Sequence, residues 1–180
     1  MIKGISYLSF ENGLSNNESI ESALSQTKSN GFDALELSVS NEGVINTNTS
    51  KTECETIRQQ IDDSGVFVDS IATGMSWAIS PTSEDKATRN KSISLHKDAL
   101  QVASNLGCKA LLFVPGVVKS PISSEIVRYD KALDRIRDAI NQLLPIAEDL
   151  DVDLCMENVW NGFFYSPIEL RDFVDSFESN

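Results

Sequence analysis

Two carboxylates stand where a parallel strand would turn them into a crevice. Over residues 152–157, Val152, Leu154 and Met156 alternate with Asp153, Cys155 and Glu157, and successive side chains of a strand point to opposite faces. With the apolar set against covering helices, Glu157 faces the interior at the carboxyl end of its strand, where ligands bind in open α/β sheets and in barrels alike. A carboxylate there needs a counterpart, because burying it unpaired is expensive. A metal ion, a lysine or arginine, or a substrate hydroxyl could supply one. Glu36 repeats the pattern between Leu35 and Leu37; a polar neighbour at the rim and a substrate contact are equally good readings of it.

Aromatic residues gather near the same crevice. Trp77 follows the third apolar run, and Trp160, Phe163, Phe164 and Tyr165 follow Glu157. Such rings can stack on the apolar faces of a sugar, or pack on each other or on a partner chain. Ser9, Asn12, Ser76 and Asn158 offer hydrogen-bonding groups at strand ends. His96, the only histidine, stands beside Lys97 and Asp98 in a helical stretch, and is expected at that helix's surface or boundary as a structural residue. Asp62, Asp63, Asp149 and Asp151 read as solvated helix ends.

The elements that must position these side chains are short apolar runs alternating with longer amphipathic stretches, five times over, which is the signature of βα units and a parallel sheet. The first run, 2–10, precedes a helix bearing Ile20, Ala23, Leu24 and Thr27, with Gly31 as its stop. Strand 34–39 leads to helix 50–64 and Gly65. Strand 66–72 leads to helix 84–106, whose buried stripe is Ile93, Ala99, Leu100, Ala103 and Leu106, closed by Gly107. The run 110–114 is apolar throughout, as for a strand covered on both faces, and leads to helix 124–150, in which Pro145 should produce a kink or a restarted last turn. Strand 152–157 leads to helix 167–177, where Ser166, Pro167 and Glu169 make an N-terminal cap. Five units suit an open doubly wound sheet or part of a barrel of eight. Length alone favours the open sheet, since a full barrel takes about 250 residues.

The segment Glu157-Asn158-Val159-Trp160-Asn161-Gly162-Phe163-Phe164-Tyr165-Ser166-Pro167 resembles the strand-five signature of the sugar-phosphate isomerase/epimerase family, the xylose-isomerase-like TIM barrels, and in particular the 3-epimerases and hexulose-phosphate isomerases. Gly4-Ile5-Ser6, Gly31 to Leu37, Ile71-Ala72-Thr73-Gly74, Leu106 to Ala110 and Pro115-Gly116 extend the likeness over essentially the whole chain. The resemblance implies an incomplete (β/α) barrel of strand order 1-2-3-4-5. It implies a divalent metal (manganese, magnesium, cobalt or zinc) held by a glutamate, an aspartate, a histidine and a second glutamate, of which Glu157 matches the first. It implies proton transfer beside a ketose carbonyl through an enediolate, with Glu157 as catalytic and metal-binding residue; Glu36, Trp77, Asn158 and Trp160, read from their places at strand ends and loops, are the candidate substrate contacts. The other three ligands would lie beyond Asn180. The 180 residues are thus expected to be the N-terminal portion of such a barrel, inactive alone, and dimeric or larger because an open barrel leaves sheet edges unpaired.

Composition narrows the alternatives. With 41% hydrophobic and 23% charged residues the chain can bury a core as one domain. A net charge of -12 repels polyanions, so nucleic acid is not expected as a ligand and an endonuclease built on the same barrel ranks last. Three cysteines with no CxxC pair suggest neither a disulfide framework nor a structural zinc site. No window is apolar enough for a membrane span, and a cytoplasmic protein acting on a sugar or sugar phosphate is expected. The second reading is a non-catalytic sugar-binding or protein-interaction module.

Overall fold

The computed structural model describes residues 1–120 and 122–179. The strands in chain order are β1 (Gly4–Ser6), β2 (Ala34–Ser38), β3 (Ser70–Thr73), β4 (Ala110–Phe113), β5 (Lys119–Ser120), β6 (Ser123–Ile126) and β7 (Asp153–Met156). All but β5 and β6 form one parallel sheet in the order β1-β2-β3-β4-β7. The helices are α1 (Ile20–Ser29), α2 (Lys51–Ser64), α3 (Lys86–Leu106), α4 (Tyr129–Asp149) and α5 (Pro167–Asp175). Neighbouring helices pack side by side, α1 on α2, α2 on α3 and α3 on α4. Sequential strand order with β1 at an edge, under one continuous layer of helices, is the geometry of a barrel segment. A doubly wound sheet would place β1 between other strands and divide the helices between two faces.

Local sequence explains the helix ends. Ser50 Oγ accepts from the Glu53 amide at 3.3 Å while the Glu53 carboxylate accepts from the Ser50 amide at 2.7 Å, a reciprocal cap that contributes about 1 kcal/mol. Asp85 caps α3 by accepting from the Thr88 amide at 2.8 Å, and Ser166 caps α5 by accepting from Glu169 at 3.1 Å, with Pro167 in the first turn. Gly65 and Gly107 end α2 and α3 in the left-handed region, at φ +69° and +78°. The helix containing Pro145 runs unbroken to Asp149, without a restarted turn.

The sheet's two faces differ as the alternation requires. Leu35, Leu37, Ile71, Leu111 and Phe113 are buried under the helices, against a layer that includes Leu24, Ile57, Leu100, Ala103, Ile136 and Leu143. Each large apolar side chain so removed from water contributes roughly 1.5–3 kcal/mol. The opposite face carries Ser6, Glu36, Ser70 and Cys155, all half-buried. At the ends of the order, β1 and β7 are each paired on one side only among the described residues.

Three expectations about the elements are corrected. The first strand covers Gly4–Ser6, not 2–10, because the chain turns into a short 3-10 helix at Tyr7–Ser9. That turn buries the Tyr7 ring and directs its hydroxyl to the Glu18 carbonyl. The third strand is displaced to Ser70–Thr73, with Phe67 contributing an isolated bridge to Ala34. The fourth helix begins at Tyr129, not at 124, since 123–126 form β6, paired antiparallel with β5. Its strands exchange backbone bonds and the Val127 amide donates to the Val118 carbonyl at 2.9 Å, which competes successfully with a helical first turn. Among the described residues no helix is long and apolar enough to cross a membrane.

Candidate functional site

The carboxyl ends of β3, β4 and β7 lead into three loops that lock together, and Glu157 stands among them. Its amide donates to the Phe113 carbonyl at 3.0 Å, one rung past the last paired residues of β4 and β7. The side chain is half-buried, and among the described residues its carboxylate has no hydrogen-bond or ion-pair partner. Asn158, next along, is exposed. Glu36 is also half-buried and accepts from the Ser70 hydroxyl at 3.3 Å. Ser70 is in register with Ala110 and Ala110 with Asp153, so Glu36 lies about four residues, or roughly 13 Å, further down the strands than Glu157. Burial raises the Cys155 thiol above its ordinary value and the Asp153 and Glu36 charges add to the shift. The shift favours the protonated thiol over the thiolate.

Trp77 and Trp160 come together. Their ring centroids are 4.6 Å apart with planes inclined by 32°. Trp77 closes the 3-10 turn Met75–Trp77 and is half-buried, whereas Trp160 is 67% exposed. The pair forms an aromatic wall that begins three residues from Glu157. Behind it lies His96, and here the expectation of a position at the helix's surface or boundary is overturned: the imidazole is 1% exposed. One ring nitrogen, Nε2, is 3.2 Å from Ser76 Oγ, the other, Nδ1, is 2.8 Å from the Ser92 carbonyl, and the ring packs edge-on against Phe113. Burial holds this imidazole below its ordinary pKa, only partly offset by the hydrogen bond to Ser92. Spacing could have revealed it: Ile93, His96, Leu100 and Ala103 follow three- and four-residue steps along one buried helix face.

Sequence reasoning also missed the residue that fastens the loop. Asn161 is fully buried; its Nδ2 donates to the Gly116 carbonyl at 2.7 Å, its Oδ1 accepts from the Phe163 amide at 3.2 Å, and its own carbonyl accepts from Val118 and Lys119 at 3.0 and 3.1 Å. On the other side Thr82 Oγ1 bonds both the carbonyl and the amide of Val117, at 2.7 and 2.9 Å. Gly116 is squeezed between them at φ +103°, with room for no Cβ: one would come within 2.6 Å of Thr82 Cγ2. The aromatic loop packs partly on itself, one of the arrangements its sequence left open. Phe163 and Phe164 are core residues, stacked on each other, and only Trp160 and Tyr165 are exposed. Asn12, the strand-end candidate after β1, is occupied by the Glu18 carboxylate at 3.2 Å, while Ser9 is exposed.

For a divalent metal these residues offer one donor. An unpartnered half-buried carboxylate fits a hard cation, but among the described residues no group of three or more His, Cys, Asp or Glu side chains could hold an ion. Glu157 fits one position of such a site and not a complete one.

Comparison with known proteins places this geometry. A family model described as xylose isomerase-like TIM barrel matches residues 24–180. A Haemophilus influenzae protein provisionally named an L-ribulose-5-phosphate 3-epimerase is 29% identical over 104 residues, which are 57% of this chain and 36% of that protein. The fold superposes on a D-psicose 3-epimerase crystallised in the presence of D-fructose, with a TM-score of 0.81 at 23% identity, covering 100% of this chain and 61% of that one. It likewise superposes on the D-psicose 3-epimerase of Clostridium cellulolyticum H10 with D-tagatose, with a TM-score of 0.78 at 18% identity and coverages of 100% and 61%. At these identities the structural likeness is one of fold, and the chain spans about three fifths of the length of these epimerases.

Proposed function

The chain belongs to the xylose isomerase-like TIM barrel family, and from that membership we propose that it supplies part of the active site of a divalent-metal-dependent sugar or sugar-phosphate epimerase or isomerase. The observation that carries the proposal is Glu157: a half-buried carboxylate without a partner among the described residues, at the carboxyl end of β7 and beside an aromatic wall. It shares the parity of Cys155, so its carboxylate belongs to the inner face of the sheet. A divalent ion bound there would polarise a ketose carbonyl and the neighbouring hydroxyl, as a Lewis acid. Glu157 would be one of its ligands and, in the same position, would take and return a proton on the carbon beside the carbonyl. Trp77 and Trp160 would pack on the apolar face of the sugar, Asn158 would bond a hydroxyl, and Glu36 would offer a deeper acceptor. The provisional name of the Haemophilus protein and the titles of the two crystal structures all describe 3-epimerases, which supports a ketose with reaction at C3.

Because the described residues provide a single ligand, the 180 residues by themselves are expected to show no appreciable epimerase activity. The same observation favours, as a second reading, a sugar-binding module without catalysis. The one-sided pairing of β1 and β7 supports assembly into a homo-oligomer through those edges.

Both tryptophans of the chain lie in the aromatic wall, so tryptophan emission, excited selectively over the tyrosines, reports on this wall. Titration with ketoses and ketose phosphates in the presence of Mn²⁺ should give a saturable change. If every sugar leaves the emission unchanged, both the catalytic and the binding reading fall. Saturable binding without hydrogen exchange at C3, in the full-length gene product, selects the second.

A further inference from the structure

The buried imidazole behind the aromatic wall has no place in the proton transfer just proposed, yet it touches both halves of the site. On one side it bonds Ser76, the residue preceding Trp77, and on the other it packs against Phe113, whose carbonyl receives the Glu157 amide. We propose that His96 is a positioning residue: through Ser76 it fixes the 3-10 turn Met75–Trp77 and so holds the Trp77 indole against that of Trp160, setting the aromatic wall of the sugar site.

The hydrogen-bond network assigns the ring's tautomer. A peptide carbonyl only accepts, so the Nδ1 facing the Ser92 carbonyl at 2.8 Å carries the hydrogen. In the neutral ring Nε2 is then an acceptor, and the Ser76 hydroxyl must donate to it across 3.2 Å. Ser76 and His96 are both buried, at 0% and 1% exposure, so water cannot substitute for either partner, and losing one leaves the other unsatisfied. Besides the burial of Met75 in the core, the turn is held by local bonds. Its first residue's amide is bonded by Thr73 Oγ1 at 3.3 Å, and its remaining local bonds are backbone contacts between 74 and 79. Among the described residues, no side chain within the turn other than Ser76 is tied to a helix by a hydrogen bond. The position of the Trp77 ring thus depends on a bond made one residue away, to α3.

This inference rests on the reading of the wall as a sugar contact, but its test does not. Two indoles at this separation couple electronically, and with only two tryptophans in the chain the far-ultraviolet exciton couplet in circular dichroism comes from this pair alone. Ser76→Ala should reduce the couplet roughly twofold or more, with the thermal transition still cooperative. His96→Leu should do the same, and His96→Gln, which can both donate and accept, should restore part of it. The matched control is Ser92→Ala, which deletes an equally buried hydroxyl that has no partner among the described residues and should leave the couplet as in the parent. An unchanged couplet in folded Ser76→Ala overturns the proposal, and so does an equal loss in Ser92→Ala; if His96→Leu does not fold, the two serine variants decide. In full-length protein with exchange activity, Ser76→Ala should raise KM roughly 2- to 10-fold with a smaller effect on kcat. Failure of the sugar reading would appear as absent fluorescence titration with the couplet's response intact.

Discussion

The Glu157 amide and the Phe113 carbonyl form the last rung between β4 and β7, at 3.0 Å. That bond carries strand geometry one residue past Met156 and determines the face on which the Glu157 carboxylate emerges. Phe113 is itself held by the core and by the His96 ring. The acid at the mouth is therefore placed by the sheet, and the loops around it are placed by each other.

Gly116 tests how tightly those loops interlock. Gly116→Ala should destabilise the fold by about 2–4 kcal/mol, since the residue is at positive φ and a methyl would strike Thr82. Gly65→Ala, also at positive φ but with nothing within 4 Å of its Cβ, should cost only about 1 kcal/mol. Chemical denaturation of the two variants measures the difference.

Asn161→Ala should cost about 2–3 kcal/mol, because it strands the Gly116 carbonyl and the Phe163 amide in a buried position. It should also release Trp160, read as a change in tryptophan emission and loss of the exciton couplet. Stability loss with unaltered emission would show that the loop is held by its buried phenylalanines instead.

Glu53 gives a pH dependence of known sign. Its carboxyl is held below the ordinary carboxylate range by hydrogen bonds from the side chain and then the backbone of Ser50. A folded-state pKa below the unfolded one means stabilisation that is present above the unfolded value and lost as pH falls through the folded value. The stability difference between the parent and Glu53→Gln should accordingly be present at neutral pH and vanish in acid, below the usual carboxylate range. A difference that persists there would assign the effect to packing.

Much of this was legible before any coordinates. The alternation of Val152, Leu154 and Met156 with Asp153, Cys155 and Glu157 located the last strand and its acid, and Ser50, Gly65, Gly107 and Ser166 marked helix ends that the structure places within a residue or two. These are local signals, set by period and by capping chemistry. What was not legible depends on distant partners. Residues 124–126 read as a helix start because nothing local announces that they belong to β6, which pairs with 119–120. His96 was masked by Lys97 and Asp98, although its spacing from Ile93 and Leu100 marked it as buried. Asn161 carries no periodic signal at all, and its importance comes from the Gly116 carbonyl 45 residues away.

The proposed function puts Glu157 in a metal-dependent site that removes hydrogen from the carbon beside a ketose carbonyl. Its most direct test is exchange of the C3 hydrogen of a ketose or ketose phosphate with deuterated solvent, catalysed by the full-length gene product with Mn²⁺ and followed by NMR. Exchange should require the metal and fall by about 10²–10⁴-fold in Glu157→Gln, with folding and the tryptophan couplet unaltered. Exchange at the parental rate in Glu157→Gln, or metal-saturated protein that binds the sugar and exchanges nothing, would contradict it.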